Sequence, residues 1–322
     1  MEPRNSTKLS TRLMYFGPFA LVAVAYVLLT YFAPQAARNN SLQLSQMQIT
    51  ILKFTITLPY LITWTLAAYG FFALGQYTMS KHEKNEFTPV LRALHKGLAW
   101  IIFGMLATGL LGAVQPYVTS QPHVVPVLTI ITNYLYVFPL LVGFWVMHRG
   151  IVSSLSGRNI LGKQYGDKFI RTVIVLIIMA FYIFLIFTNP NRQIALDATT
   201  PATYYLSDLM IIFTLIIPVF ATWWLGFSVA FIMSDLIPLM ANAKFFKATT
   251  KILYGIWSII FTSILLQALL SLGSKRLFSI GIGLLLLLVY TFLLLQGLGY
   301  GFLALGINKL KKLTTAGAED NK

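Results

Sequence analysis

The sequence predicts an all-α protein, a polytopic integral membrane bundle of eight transmembrane helices that arose by tandem, parallel duplication of a four-helix unit. Three observations lead to this prediction. Of the 322 residues, 57% are hydrophobic and only 10% are charged, with a mean hydropathy of +0.75. About a quarter of a soluble domain is charged, so a water-soluble enzyme is excluded. Eight segments are long and apolar, and a short motif recurs at matching places in the two halves.

A helix needs roughly 20 mostly apolar residues to cross a bilayer. The predicted spans cover residues 13–33, 49–78, 94–114, 124–150, 169–188, 204–234, 249–272 and 277–307. They form a first four-helix repeat (1–150) and a second (169–307), joined by a cytoplasmic linker (151–168) and followed by a cytoplasmic tail (308–322). The odd-numbered spans are near the minimum length, and the longer even-numbered spans are expected to tilt, kink or project. Residues 314–322 are expected to be disordered.

The distribution of Lys and Arg predicts the orientation of the chain. With the N-terminus in the cytoplasm, 19 of the 24 basic residues fall on the inner side, as the positive-inside rule requires. The five outer ones are Arg38, Lys53, Arg192, Lys275 and Arg276. We therefore predict a multi-pass protein of the cell membrane with both termini in the cytoplasm. The net charge of +15 then reflects topology and an inner face that binds anionic lipids, not a nucleic-acid surface.

The internal repeat rests on collinear matches between the halves. Pro59, Thr63 and Trp64 in the second span correspond to Pro218, Thr222 and Trp223 in the sixth, each a Pro-x-x-x-Thr-Trp string, at an offset of 159 residues. Gly97 matches Gly255 at an offset of 158, and Gly143 matches Gly297 at an offset of 154. Because four spans are an even number, both copies have the same orientation, related by an axis along the membrane normal.

The repeated motif is the sharpest candidate for a binding site. Thr63–Trp64 and Thr222–Trp223 lie near the middle of their spans, where tryptophan is less usual than at the membrane interfaces. Pro59 and Pro218 each remove a backbone donor and free carbonyls one turn earlier. Together these residues are candidates to line a substrate site between the repeats. The alternative is a kinked helix pair that serves packing alone.

Charged and polar residues inside the spans are few. Lys53 and Asp208 lie near the outer boundary, where they either pair with each other or extend separately to the lipid headgroups, the simpler interpretation. Asn133, Gln267 and Gln296 are neutral and are expected to hydrogen-bond between helices. Gly297 and Gly301 form a small-x-x-x-small pair that permits close helix contact, most simply within the chain.

The sequence lacks the residue patterns of several kinds of chemical site, which narrows the range of possible functions. The chain has no cysteine, which excludes disulfides and thiolate metal sites. No constellation of residues indicates a catalytic, cofactor or metal site, so we expect a protein that is not an enzyme. One hypothesis is a transporter or permease for a neutral or lipid-like solute. The other is a non-catalytic membrane subunit or scaffold that packs against a partner membrane protein or a second copy of itself.

Overall fold

The computed structural model describes residues 4–32, 46–79, 88–118, 124–155, 217–240, 245–273 and 282–319, with short helical pieces at 172–173, 175–177 and 179–180. Throughout these residues the regular structure is α-helix, without strands. The helices are α1 (Arg4–Tyr31), α2 (Gln46–Met79), α3 (Thr88–Val118), α4 (Val124–Leu155), α5 (Ile217–Met240), α6 (Phe246–Gly273) and α7 (Ile282–Glu319).

Seven of the described helices are long and apolar enough to cross a membrane, which confirms an all-helical, multi-pass membrane protein. They correspond to predicted spans one to four and six to eight. The fifth predicted span, 169–188, lies mostly outside the described residues. Of its described part, Val175 and Met179 are buried in the hydrophobic core, each 3% exposed. The count of eight spans therefore stays a prediction.

The helices extend further than the sequence predicted, as α1, α3 and α7 show. α1 begins at Arg4 rather than near residue 13. α3 begins at Thr88 rather than 94, because Val90, Leu91 and Leu94 bury one face of its first turns at 1% exposure each. α7 continues to Glu319, so the disorder expected from residue 314 was wrong as far as Glu319; buried Leu310 anchors the last described turns of the helix.

The bundle contains two closely packed antiparallel helix pairs, α3 with α4 and α6 with α7. α2 packs extensively on α7, and α5 packs on both α4 and α6. α1 lies against α2 and α3 at one side. The core therefore runs continuously from the first predicted repeat into the second.

Glycines let the backbones of both pairs touch. A Cβ added to Gly143 would lie 2.7 Å from the carbonyl oxygen of Gly97, and one added to Gly299 would lie 3.0 Å from that of Gly255. Such contacts replace the hydrophobic effect as the main source of helix association inside lipid. In the α6–α7 pair the glycine contact is thus made by Gly299, 156 residues after Gly143, whereas the sequence paired Gly143 with Gly297; the repeat itself stays a prediction. Gly297 instead faces α2, where a Cβ added to it would lie 3.1 Å from the Cα of Thr63, which confirms a contact within the chain.

Alanine at these glycines should destabilise the bundle. Gly97→Ala and Gly255→Ala would each push a Cβ to within 2.5–2.7 Å of backbone atoms on the partner helix. We expect each to lower the free energy of unfolding by about 1–3 kcal/mol. Gly112→Ala is the matched control, because a Cβ there meets nothing within 4 Å and alanine favours the helix. Thermal unfolding in one detergent measures all three, and equal melting temperatures would contradict the packing described.

Candidate functional site

The first copy of the motif ties α2 to three other helices. Thr63 is fully buried, and its hydroxyl donates a hydrogen bond of 2.8 Å to the carbonyl of Leu293 in α7. Trp64 is 1% exposed and packs edge-on against Tyr26 of α1, with ring centroids 5.0 Å apart. Its indole covers Gly109 of α3, where a Cβ would lie 2.6 Å from the ring. Pro59 lies inside α2, one turn before Thr63.

The second copy of the motif makes different contacts. Thr222 is also fully buried, but its hydroxyl donates to the carbonyl of Pro218 in its own helix, at 2.7 Å. Trp223 is 4% exposed in the same hydrophobic core as Trp64. The two motifs lie in different helix contacts, since α2 packs on α7 whereas α5 packs on α4 and α6. Each motif is a packed element of the core, and substrate binding by these residues stays a prediction.

A buried group of polar side chains lies where α2, α4, α6 and α7 meet. The polar centre is our name for Thr63, Tyr136, Ser263 and Gln296 together with Gln267, which follows Ser263 by one turn of α6. The amide of Gln296 donates to the hydroxyl of Ser263 at 2.7 Å, and the phenol of Tyr136 donates to the Ser263 carbonyl at 3.4 Å. Thr63 bonds to α7 three residues before Gln296. These bonds join α2 and α4, from the first predicted repeat, to α6 and α7, from the second. The polar centre therefore holds the two sets of helices in a defined relative position.

The polar centre holds hydrogen-bonding capacity that the described protein atoms do not use. The side-chain oxygen of Gln296 has no partner there, although the residue is fully buried. Gln267, one turn beyond Ser263 in α6, is 1% exposed, and neither of its amide atoms has a partner. The indole nitrogen of Trp64 is also buried without a hydrogen-bond partner among these atoms. Each such group costs about 1–3 kcal/mol, so an unexplained group in a native core calls for a reason.

The side chains around these orphan atoms are uncharged and aromatic. The rings of Tyr60 and Tyr26 lie 5.9 Å and 5.0 Å from that of Trp64. The group thus combines flat apolar surfaces with hydroxyl, amide and indole ends. This composition is typical of sites for small organic molecules rather than for ions.

The predicted intramembrane charges lie elsewhere. The ammonium of Lys53 donates to the carbonyl of Tyr31 at 2.7 Å, at the end of α1, and lies 6.0 Å from the centre of the Tyr31 ring. Ten residues of α2 separate Lys53 from Thr63, which is ~15 Å along the helix. A lysine stabilises a helix C-terminus through its dipole, so the bond accounts for its place in the membrane. Asp208 lies outside the described residues, and the Lys53–Asp208 pair stays a prediction.

The sequence predicted that Gln267 and Gln296 hydrogen-bond between helices. It did not predict that Tyr136 and Ser263 belong to the same buried polar group. Only tertiary packing brings these residues together, because their helices are distant in sequence. Among the described residues, no three His, Asp or Glu side chains cluster as a metal site would require. The absence of a cofactor and of catalytic activity stays a prediction.

No protein-family model, curated protein or solved structure matches this chain. No activity is therefore transferred to it from a relative. The interpretation of the polar centre depends on its own contacts, its burial and the hydrogen-bonding atoms that it leaves unused.

The two threonines of the motif should differ in their effect on stability. Thr63→Val removes a hydrogen bond between helices, whereas Thr222→Val removes one within a single helix. We expect Thr63→Val to cost about 0.6 kcal/mol, the average for such bonds in membranes, and up to about 1.7 kcal/mol. Thr222→Val serves as the matched control and should change stability less. Chemical or thermal unfolding in detergent compares them, and an equal loss would argue against the bridging role of Thr63.

Proposed function

We propose that the protein is a permease for a small neutral solute that forms hydrogen bonds, and that the solute binds at the polar centre. The observation that carries this proposal is the unused hydrogen-bonding capacity of Gln267 and Gln296 in an otherwise apolar core. A solute carrying hydroxyl or amide groups satisfies these atoms and turns a cost in stability into binding energy. We further propose that the protein performs no catalysis.

The chemistry of the site favours a neutral solute over an ion. Transfer of a charge into a buried site costs several kcal/mol unless an opposite charge compensates it. The polar centre offers only hydroxyl, amide and phenol groups, which bind dipoles well. Trp64 and Tyr60 supply aromatic surfaces suited to the apolar face of an organic molecule. The substrate class is therefore a neutral molecule with one polar and one apolar side.

We also infer a tandem duplication, in which α3–α4 and α6–α7 are equivalent pairs. Both pairs are held by a glycine on each helix, Gly97 with Gly143 and Gly255 with Gly299. The crossed contacts match as well, since α2 packs on α7 and α5 packs on α4. Parallel repeats of transporters bind substrate between the halves and move as units around the site. The polar centre lies at this junction, because it joins α2 and α4 to α6 and α7.

Access to the site requires a rearrangement between helices. Gln267 and Gln296 are 1% and 0% exposed, so the structure is closed around the polar centre. The tightly packed pairs are the natural rigid units, because separating them would break backbone contacts at the glycines. The bond from Thr63 to Leu293 joins the two halves and must open or shift when they move. The inferred orientation, with both termini in the cytoplasm of the cell, places opposite ends of these helices at the two membrane surfaces.

Leucine at the two glutamines tests the permease. Gln267→Leu removes an amide without a partner, and Gln296→Leu removes an unpartnered oxygen together with the bond to Ser263, so we expect melting temperatures close to or above that of the unaltered protein. Both should abolish melting shifts induced by a panel of neutral polyols, amides and aromatic alcohols. They should also lower uptake of any responding solute into proteoliposomes by at least 10-fold. Gln76→Leu, an exposed position in α2, is the matched control.

Two results would contradict the permease. One is a panel in which no neutral solute shifts the melting temperature or enters proteoliposomes of the unaltered protein. The other is a responding solute whose uptake the two leucine variants leave unchanged. In both cases the orphan amides would be features of the resting fold alone.

The position of α1 favours a second function, that of a non-catalytic membrane subunit. Only 17% of the apolar, membrane-spanning stretch of α1 is buried within the chain, compared with 56% of that of α6. On this helix a Cβ added to Gly17 meets nothing within 4 Å. Small residues at a free helix surface permit close approach of another transmembrane helix. The occupant would be a transmembrane helix of a partner membrane protein.

Leucine at Gly17 tests this second function. Because Gly17 faces open space, Gly17→Leu should leave the melting temperature of the isolated chain unchanged. It should remove at least 90% of any membrane protein that co-purifies stoichiometrically in mild detergent. Gly112→Leu, also at an open position, is the control. A chain that extracts alone under gentle conditions would contradict the subunit role and leave the permease standing.

A further inference from the structure

An apolar groove of about 400 Å³ runs along the outer side of the α3–α4 pair. Its walls are aromatic: Trp100 and Phe103 on α3, with Tyr134 and Phe138 on α4. Trp100, Phe103 and Phe138 are each about half exposed, at 45%, 53% and 51%. The floor is closed by the contact of the two helices, where a Cβ on Gly104 would lie 2.9 Å from the ring of Pro139. The groove therefore opens sideways, toward the lipid.

Two cations lie on the same helix faces beyond one end of this groove. Lys96 precedes Trp100 by one turn of α3, and Arg149 follows Val142 by two turns of α4. Both are exposed. They belong to the same level of the bundle, because Gly97 contacts Gly143 and Gly150 contacts Ala93. An apolar groove thus leads to a positively charged rim.

We propose that this surface binds one phospholipid with an anionic headgroup. One acyl chain lies in the groove, and the phosphate lies between the side chains of Lys96 and Arg149. The positions match the membrane: from Phe138 to Arg149 is ~16 Å along α4, and half of the hydrocarbon thickness is ~15 Å. The rim therefore lies at the headgroups when the groove lies beside the acyl chains.

The details of the groove favour a lipid over a transmembrane helix. A helix with its side chains is ~10 Å wide and needs a long, flat contact, whereas a 400 Å³ slot between aromatic rings suits a single chain. The guanidinium of Arg149 is held 5.4 Å from the ring of Trp145, between the groove and the rim. A guanidinium fixed in this way presents its donors to phosphate oxygens with little loss of entropy. The inner leaflet, where these residues are inferred to lie, is rich in anionic lipids.

Lipid binding is measured with phosphatidylglycerol and phosphatidylcholine of identical acyl chains. Each lipid is added to the delipidated protein, and bound lipid is measured by native mass spectrometry. The protein should bind one phosphatidylglycerol, at least 10-fold more tightly than phosphatidylcholine. Lys96→Gln with Arg149→Gln should remove this preference. Arg12→Gln with Lys247→Gln is the control, since it removes one Arg and one Lys at exposed positions elsewhere and should keep the preference. Val142→Phe, which fills the groove, should weaken the binding of both lipids and leave the melting temperature of the protein unchanged.

Three results would overturn the proposal. The first is equal retention of the two lipids by the unaltered protein. The second is full retention of the preference by Lys96→Gln/Arg149→Gln. The third is complete displacement of phosphatidylglycerol by glycerol phosphate at equal concentration, which would show an anion site that makes no use of the groove. Transport assays of the same variants keep this proposal separate from the permease, since the lipid site lies outside the polar centre.

Discussion

The structure depends on backbone-to-backbone contact between helices at glycine. Inside a bilayer, apolar side chains gain little by leaving lipid, so helices associate through close packing and a few hydrogen bonds. Gly97 with Gly143 and Gly255 with Gly299 supply such packing in the two helix pairs. Each pair then presents a broad, rigid side to the rest of the bundle. α2 and α5 pack on these sides, and the core becomes continuous from one pair to the other.

Rigid pairs make the polar centre possible. A buried amide without a partner destabilises a loosely packed protein, because the surrounding helices shift to hydrate it. In this bundle the helices beside Gln267 and Gln296 are held by glycine contacts and by the bond from Thr63 to Leu293. The unused hydrogen-bonding atoms are therefore held in place by the packing around them. The proposed binding of a neutral solute depends on this fixed placement.

The class of protein could be predicted from the sequence, and much of the contact detail could not. Long apolar runs require helices in lipid, because backbone groups have no other partner there. Helix ends were harder, since Leu94 and Leu310 hold turns that extend beyond the apolar runs. The sequence placed the Pro-x-x-x-Thr-Trp motifs near the middle of their spans, and in the structure the threonine and tryptophan of each motif are buried. However, nothing local in the sequence distinguishes Thr63, which bonds across to α7, from Thr222, which bonds within its own helix.

The inferred duplication explains where the polar groups accumulated. At the offsets that the glycine contacts indicate, Ser263 and Gln267 of α6 correspond to Met105 and Gly109 of α3. Gln296 of α7 corresponds in the same way to Leu140 of α4, and both are fully buried.

The two copies therefore share their packing but differ in polarity at one level of the membrane. In the first copy, Gly109 leaves room for the indole of Trp64, and the phenol of Tyr136 is the polar group that the pair adds to the polar centre. In the second copy, amides and a hydroxyl occupy the same level and face the first. Under the inferred duplication and the proposed permease, this divergence gives a single asymmetric site between two similar halves, with its amides on the second.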